Sequence, residues 1–190
     1  MTERQALDAV LAHLCAALAS EEIIWGVGGS RLLLAHGIPC APRDLDLLVT
    51  SDSAARALAV LKRLGTGGPG LPKAPFASRT FAQFTVDGIE IDLIAGYRIE
   101  HAAGMYEQQF SAASITGSMA LDGVLVPLTA LEDWYVTYLL YPAKAQKAEQ
   151  IEAYLTKNGV SRPDLLRQAL QGELPDQVRV RIERLLVQLS

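Results

Sequence analysis

The chain has 190 residues, 21 of them acidic and 17 basic, for a net charge of −4; half are hydrophobic and a fifth charged. A mean hydropathy of +0.19 with a pI near 5.4 excludes a disordered chain, which is poor in apolar residues and rich in charge. The acidic balance also argues against a general nucleic-acid binder, because counterion release needs a positive field.

No uninterrupted apolar run approaches the roughly 18 residues of a membrane-spanning helix, and none is expected. Met1-Thr2-Glu3-Arg4 lacks the basic-then-apolar order of a signal peptide. Two cysteines, Cys15 and Cys40, do not make a disulfide framework. Free thiols in a reducing cytoplasm are the expectation.

In chain order, Leu7, Val10, Leu11, Leu14 and Leu18 recur at helical spacing and predict a helix over 4–20. Ile23-Ile24-Trp25-Gly26-Val27 reads as a strand that breaks at Gly28-Gly29-Ser30. A short helix over 31–36, closed by Gly37, follows. Pro39 and Pro42 force irregular chain before a second strand, Leu45–Thr50. The next helix has Ala55, Leu58, Leu61 and Leu64 as its expected core face, with Ser51 or Asp52 as cap.

Residues 65–72, dense in glycine and proline, read as a flexible loop. Phe81, Phe84 and Val86 lead into Asp87-Gly88, a strong hairpin signal, and Ile89–Ile94 is the return strand. A strand is expected near Val124–Val126, with Pro127 and Thr129 opening a helix to about Tyr141. Helical segments at 143–156, 162–171 and 176–189 follow, the last with Val178, Ile182, Leu185, Leu186 and Leu189 on one stripe. The expected organisation is an α/β core over 1–127 and a helical region over 128–190.

Three features carry chemistry. Adjacent glycines between a strand and a helix let the backbone turn tightly and approach a ligand. The helix start that follows offers free N–H groups suited to phosphate. The same pair can also be a simple turn. A Walker loop needs Gly-Lys-Ser/Thr, and no such tripeptide occurs. Gly26-Val27-Gly28 begins a dinucleotide-binding fingerprint, but Arg31 occupies its third glycine position. The acids Asp44 and Asp46 also precede a strand rather than end one.

Asp44 and Asp46 flank Leu45, so as strand residues they share a face with Cα atoms about 6.6 Å apart. Such carboxylates repel unless cations lie between them, and hard divalent ions are natural occupants. Two solvated surface acids are the alternative. Asp92 lies deep in Ile89–Ile94, with Glu90 on the same face as a rim residue. An unpaired acid buried there is costly. If its strand lies beside that of Asp44, three carboxylates meet next to the glycines and can hold two metal ions.

With Gly28-Gly29-Ser30, then Asp44-Leu45-Asp46 after a thirteen-residue spacer, and Asp92 in a later strand, the chain resembles the nucleotidyltransferase superfamily of the DNA-polymerase-β type. It is most similar to small bacterial members, the antibiotic nucleotidyltransferases and the abortive-infection or toxin–antitoxin type. The resemblance covers roughly residues 20–95. The helical tail matches loosely, through Lys144, Lys147 and Glu149.

The resemblance implies a nucleotidyltransferase-like mixed sheet flanked by helices, with a helical C-terminal part. It implies two Mg²⁺ ions on Asp44 and Asp46, with Asp92 completing the second site and acting as base toward the acceptor hydroxyl. Gly28, Gly29 and Ser30 would hold the β- and γ-phosphates of a nucleoside triphosphate.

Arg31 would reach the phosphates or be solvated. Arg43 could pair with the acids. Lys144 and Lys147, three apart on a helix, would contact phosphate or form a solvated face. The acceptor, a small molecule, a tRNA end or a protein hydroxyl, is not specified. A non-catalytic role beside a small helical partner protein is the alternative function. His13, His36 and His101 show no ligand spacing. Trp134, Tyr135 and Tyr138 read as helical core, with stacking of one of them on a base as the alternative, and Arg179, Arg181 and Arg184 as surface.

Overall fold

A computed structural model describes residues 2–188. The first helix, α1 (Glu3–Ala19), is started by a capping box between Thr2 and Gln5. Then come β1 (Trp25–Val27), α2 (Gly29–Ala35), β2 (Asp44–Val49), α3 (Ala54–Leu64) and strands β3 (Thr66–Pro69), β4 (Thr80–Val86) and β5 (Ile89–Ala95). The hairpin β6 (Arg98–His101) and β7 (Gly104–Glu107) follows, then β8 (Ile115–Leu121) and β9 (Val124–Thr129). Helices α4 (Leu131–Leu140), α5 (Ala145–Asn158), α6 (Pro163–Ala169) and α7 (Asp176–Gln188) complete the chain.

Seven strands form one mixed sheet in the order β3-β4-β5-β2-β1-β9-β8, and β6 and β7 pair separately. Strand β2 runs antiparallel to β1 and parallel to β5. The Asp87-Gly88 turn closes β4 on β5 as expected, with φ of 48° and 82° at its two residues. That is the left-handed pair a two-residue hairpin needs.

Leu45, Leu47, Ile91 and Leu93 are fully buried. They alternate with the acids along β2 and β5 and so line the opposite face of the sheet. Helices α1 and α3 pack on each other and against β5. One hydrophobic core runs from Leu7 in α1 to Leu185 in α7, so the C-terminal helices join the sheet's own core. Truncating a fully buried leucine such as Leu14 to alanine costs about 2–5 kcal/mol.

Several expectations need correction. Residues 66–69 are not loop: β3 pairs with β4 from Thr66 opposite Thr85 to Pro69 opposite Ala82. As the sheet's edge strand it tolerates the proline that suggested a loop. Pro127 and Thr129 do not open a helix. Both belong to β9, where Leu128 pairs with Val27, and α4 begins at Leu131.

The buried side of α3 is Ala54, Ala57, Val60 and Leu61, with Leu58 and Leu64 only partly covered and Ala55 exposed. On α7, Val178, Ile182 and Leu185 are buried and Leu186 partly so, while Leu189 lies outside the described residues.

Arg179 and Arg181 are half-buried clamps rather than free surface groups. Arg179 donates to the carbonyls of Leu170 and Gly172 at the end of α6. Arg181 pairs with Glu152, which also accepts from the Tyr135 hydroxyl at 2.7 Å. No helix among the described residues is long and apolar enough to cross a membrane.

Candidate active site

Register decides the site. In the parallel β2–β5 pair, Asp46 lies directly opposite Asp92, and Asp44 opposite Glu90. Cross-strand partners project on one face, so all four acids share it. The three aspartates feel one another's charge. Burial, then the charges of Asp44 and Asp92, push the Asp46 carboxyl up to about 7, against the pull of Lys147 and Lys144. Burial also raises Asp92, which Asp44 and Glu90 raise further and a hydrogen bond from Gln83 Nε2 (3.0 Å) opposes.

The glycine turn sits against these acids. The Gly28 N–H donates to the Asp46 carbonyl at 2.9 Å. Gly29 has φ of +56°, and a Cβ there would stand 1.8 Å from Asp46 Oδ2. A side chain at 29 is therefore excluded both by conformation and by the carboxylate. Gly28 is closed off differently: a Cβ would fall 2.1 Å from the Trp134 ring.

Trp134 is itself fixed. Its indole N–H donates to Thr129 Oγ1 (2.9 Å), and the Thr129 hydroxyl donates to the Val27 carbonyl (3.0 Å), both buried. This relay ties the ends of β1 and β9 to α4 and sets the wall of the glycine turn.

The structure sorts the expected basic residues. Lys147 Nζ donates to Ser30 Oγ at 2.7 Å and lies 5.2 Å from the Tyr138 ring centroid. Burial, and behind it the Lys144 charge, hold its ammonium below the usual lysine range, while Asp46 and Asp44 pull the other way. Lys144 is exposed beside it, close enough to act on Asp46.

Arg31 is neither solvated nor free. It is 3% exposed, and its guanidinium is held on Asp8 Oδ1 of α1 at 2.8 Å. Arg43 is exposed and absent from the ion pairs of the described residues. Cys40 Sγ donates to the Ser30 carbonyl (3.0 Å), a further brace on the turn.

Three residues at the site escaped the sequence reading, and two more were read chiefly as core. Gln83 was within reach of it, because counting outward from the Asp87-Gly88 turn puts residue 83 opposite 92. Lys73 had no local signal: it sits in the glycine- and proline-rich stretch, yet its charge acts on Asp92. Tyr97 is buried near Asp46, which together with burial raises its phenol far above the usual range. Trp134 and Tyr138 read as core and do pack as core, but they also face the turn and Lys147.

Among the described residues, no three His, Cys, Asp or Glu side chains close on a single point to hold an ion unaided. The donor set nevertheless suits a hard cation. Oxygen-only ligands that repel one another, as Asp44, Asp46 and Asp92 do, are relieved by a divalent ion. The ligands still missing would come from phosphate oxygens or water, as is usual for Mg²⁺.

No family model and no curated protein sequence matches the chain. Solved structures do. A Thermotoga maritima protein provisionally described as a nucleotidyltransferase superposes with a TM-score of 0.62 at 21% identity, over 83% of this chain and 97% of that one. ANT(2″)-Ia, solved with adenylyl-2″-tobramycin, superposes with a TM-score of 0.56 at 12% identity, over 97% of this chain and 99% of that one. An antigenic nucleotidyltransferase-like protein of Paracoccidioides brasiliensis gives 0.50 at 15% identity, over 96% and 92%. The chain has the nucleotidyltransferase fold.

Proposed function

We propose that the protein is a metal-dependent nucleotidyltransferase. It moves a nucleoside monophosphate from a triphosphate onto an acceptor hydroxyl and releases pyrophosphate. The observation that carries this reading is the in-register pairing of Asp46 with Asp92, with Asp44 on the same face and Gly29 packed on the Asp46 carboxylate. Folds host many functions, so the argument rests on these groups.

Asp44, Asp46 and Asp92 would hold Mg²⁺, two ions by resemblance, which neutralises triphosphate charge and eases deprotonation of the acceptor hydroxyl. The protein's own groups do the rest. Gly29 lets the turn close onto the Asp46 carboxylate, which brings the free N–H groups of the α2 start beside the acids. Ser30 and Lys147, joined by a hydrogen bond, would exchange that contact for phosphate oxygens, and Lys144 and Lys73 would add positive charge at the rim. The acceptor oxygen bonds to the α-phosphorus as the bond from that phosphorus to the bridging oxygen breaks. The Asp92 carboxylate takes the hydroxyl proton, and pyrophosphate leaves. Arg31, held on Asp8, positions α2 against α1 and stays off the substrate. The likeness to ANT(2″)-Ia, whose structure holds an adenylylated tobramycin, favours a small hydroxyl-bearing acceptor.

Titrating the purified protein with each nucleoside triphosphate, with and without Mg²⁺, tests the site. Saturable, Mg²⁺-dependent binding that Asp46→Ala abolishes is expected. Equal binding by Asp46→Ala and the parent would refute the assignment.

A further inference from the structure

We propose that a cavity between β7, α4 and α6 is a second binding site that takes a compact organic cation, an alkylguanidinium or alkylammonium group. The cavity measures about 220 Å³ and contains none of the residues of the carboxylate site. That is smaller than the roughly 300–1,000 Å³ of drug-sized pockets and suits a fragment-sized group.

The cavity's charge is unbalanced. Asp133, on α4, lines it at 5% exposure, and its Oδ2 has no hydrogen-bond partner. The Gln108 amide faces Asp133, but its buried Nε2 is also unpartnered. The second acid of the lining, Glu107, is already satisfied: Arg79 grips it through two bonds of 3.1 Å and Arg98 through one of 3.0 Å.

No cation is committed to Asp133 in the same way. Arg162, whose charge acts on Asp133, is held by Asp164 and the Ala113 carbonyl, and Glu132 and Asp164 add like charges. Gln168 and Gln171 stand exposed at the mouth with amide oxygens to accept further N–H bonds, and the Tyr106 ring forms part of the wall. A buried acid with one oxygen left unpartnered and no cation beside it is costly, and a cation carrying several donors offsets that cost. An aromatic wall favours the same charge.

Two probes of nearly equal shape separate charge recognition from simple filling of the cavity: methylguanidinium and the neutral methylurea. Amide chemical shifts of the full chain are followed up to about 50 mM of each, a concentration suited to fragment affinities. Saturable methylguanidinium binding is expected, with shifts at Gln109, Gln168 and Gly172, and methylurea at least about tenfold weaker. Asp133→Asn keeps the shape and should weaken methylguanidinium at least about tenfold. Gln168→Lys, at an exposed position, should weaken it several-fold by placing a tethered ammonium at the mouth. Asp46→Asn should leave the affinity unchanged, which separates this site from the carboxylate cluster. Absence of binding, equal affinity for the two probes, equal binding by Asp133→Asn, or loss of binding in Asp46→Asn would each overturn the proposal.

Discussion

Asp46 on β2 and Asp133 on α4 are both acids whose carboxyl is pushed up to about 7, chiefly by burial. Their neighbourhoods differ. Asp46 shares its face with Asp44 and Asp92 and has Lys147 and Lys144 opposite, so charges of both signs converge from β2, β5 and the start of α5. Asp133 has the like charges of Glu132 on its own helix and of Asp164 on α6, and the opposing Arg162 is already held by Asp164. A perturbed acid alone is therefore not a sign of catalysis. Repelling carboxylates beside lysines and a glycine turn are the stronger sign, because that arrangement is relieved by substrate and metal.

The largest effect that would break this contrast is on chemistry. Asp46→Asn should lower nucleotidyl transfer by about 10³–10⁴-fold, measured as pyrophosphate release, without lowering the melting temperature of the metal-free protein. A large loss of stability would make Asp46 a structural residue instead.

Next is the wall between the two regions. Trp134→Ala should cost about 3–5 kcal/mol by denaturant unfolding and lower nucleotide binding too, since the ring supports Gly28. Trp134→Phe keeps a ring and loses the N–H to Thr129, so it should cost only about 1 kcal/mol.

Asp133 should affect stability through pH. Its folded carboxyl titrates near 7 and its unfolded one near 3.9. The folded state therefore binds more protons between about pH 4 and 7, and stability is lost as pH rises through that window. The charged group faces Glu132 and Asp164 against Arg162 and the Gln108 amide. Asp133→Asn should be more stable than the parent by on the order of 4 kcal/mol at pH 8, and the gain should vanish near pH 4. A gain of the same size at both pH values would mean that packing, not charge, is responsible.

Lys147→Met should weaken triphosphate binding about tenfold while leaving the fold intact, because the lysine is partly desolvated and its hydrogen bond among the described residues is the one to Ser30. The smallest effect belongs to the Arg63–Glu21 ion pair, with side chains 58% and 38% exposed. Arg63→Gln should change stability by less than about 0.5 kcal/mol.

The legible part of this protein is local. Helix α1, the Asp87-Gly88 hairpin, the Asp44–Asp46 pairing on one face and the glycine turn follow from periodicity and turn chemistry, which act within a few residues. The hairpin even specifies Gln83 as the neighbour of Asp92. Other features were hidden because the cause lies elsewhere in the chain. Residues 66–69 become a strand only because β4 offers an edge, and Thr129 ends a strand because Leu128 pairs with Val27 and Thr129 itself with Ile115.

By itself, the sequence determined which residues could carry the chemistry and which way they point along their own strands, since backbone alternation and glycine's freedom need no distant partner. Tertiary structure decided which of them meet. The parallel register that sets residue 92 beside 46 is fixed by long-range packing. The same packing seats Arg31 on Asp8, delivers Lys73 and Lys147 to the acids, and leaves Asp133 facing a cavity.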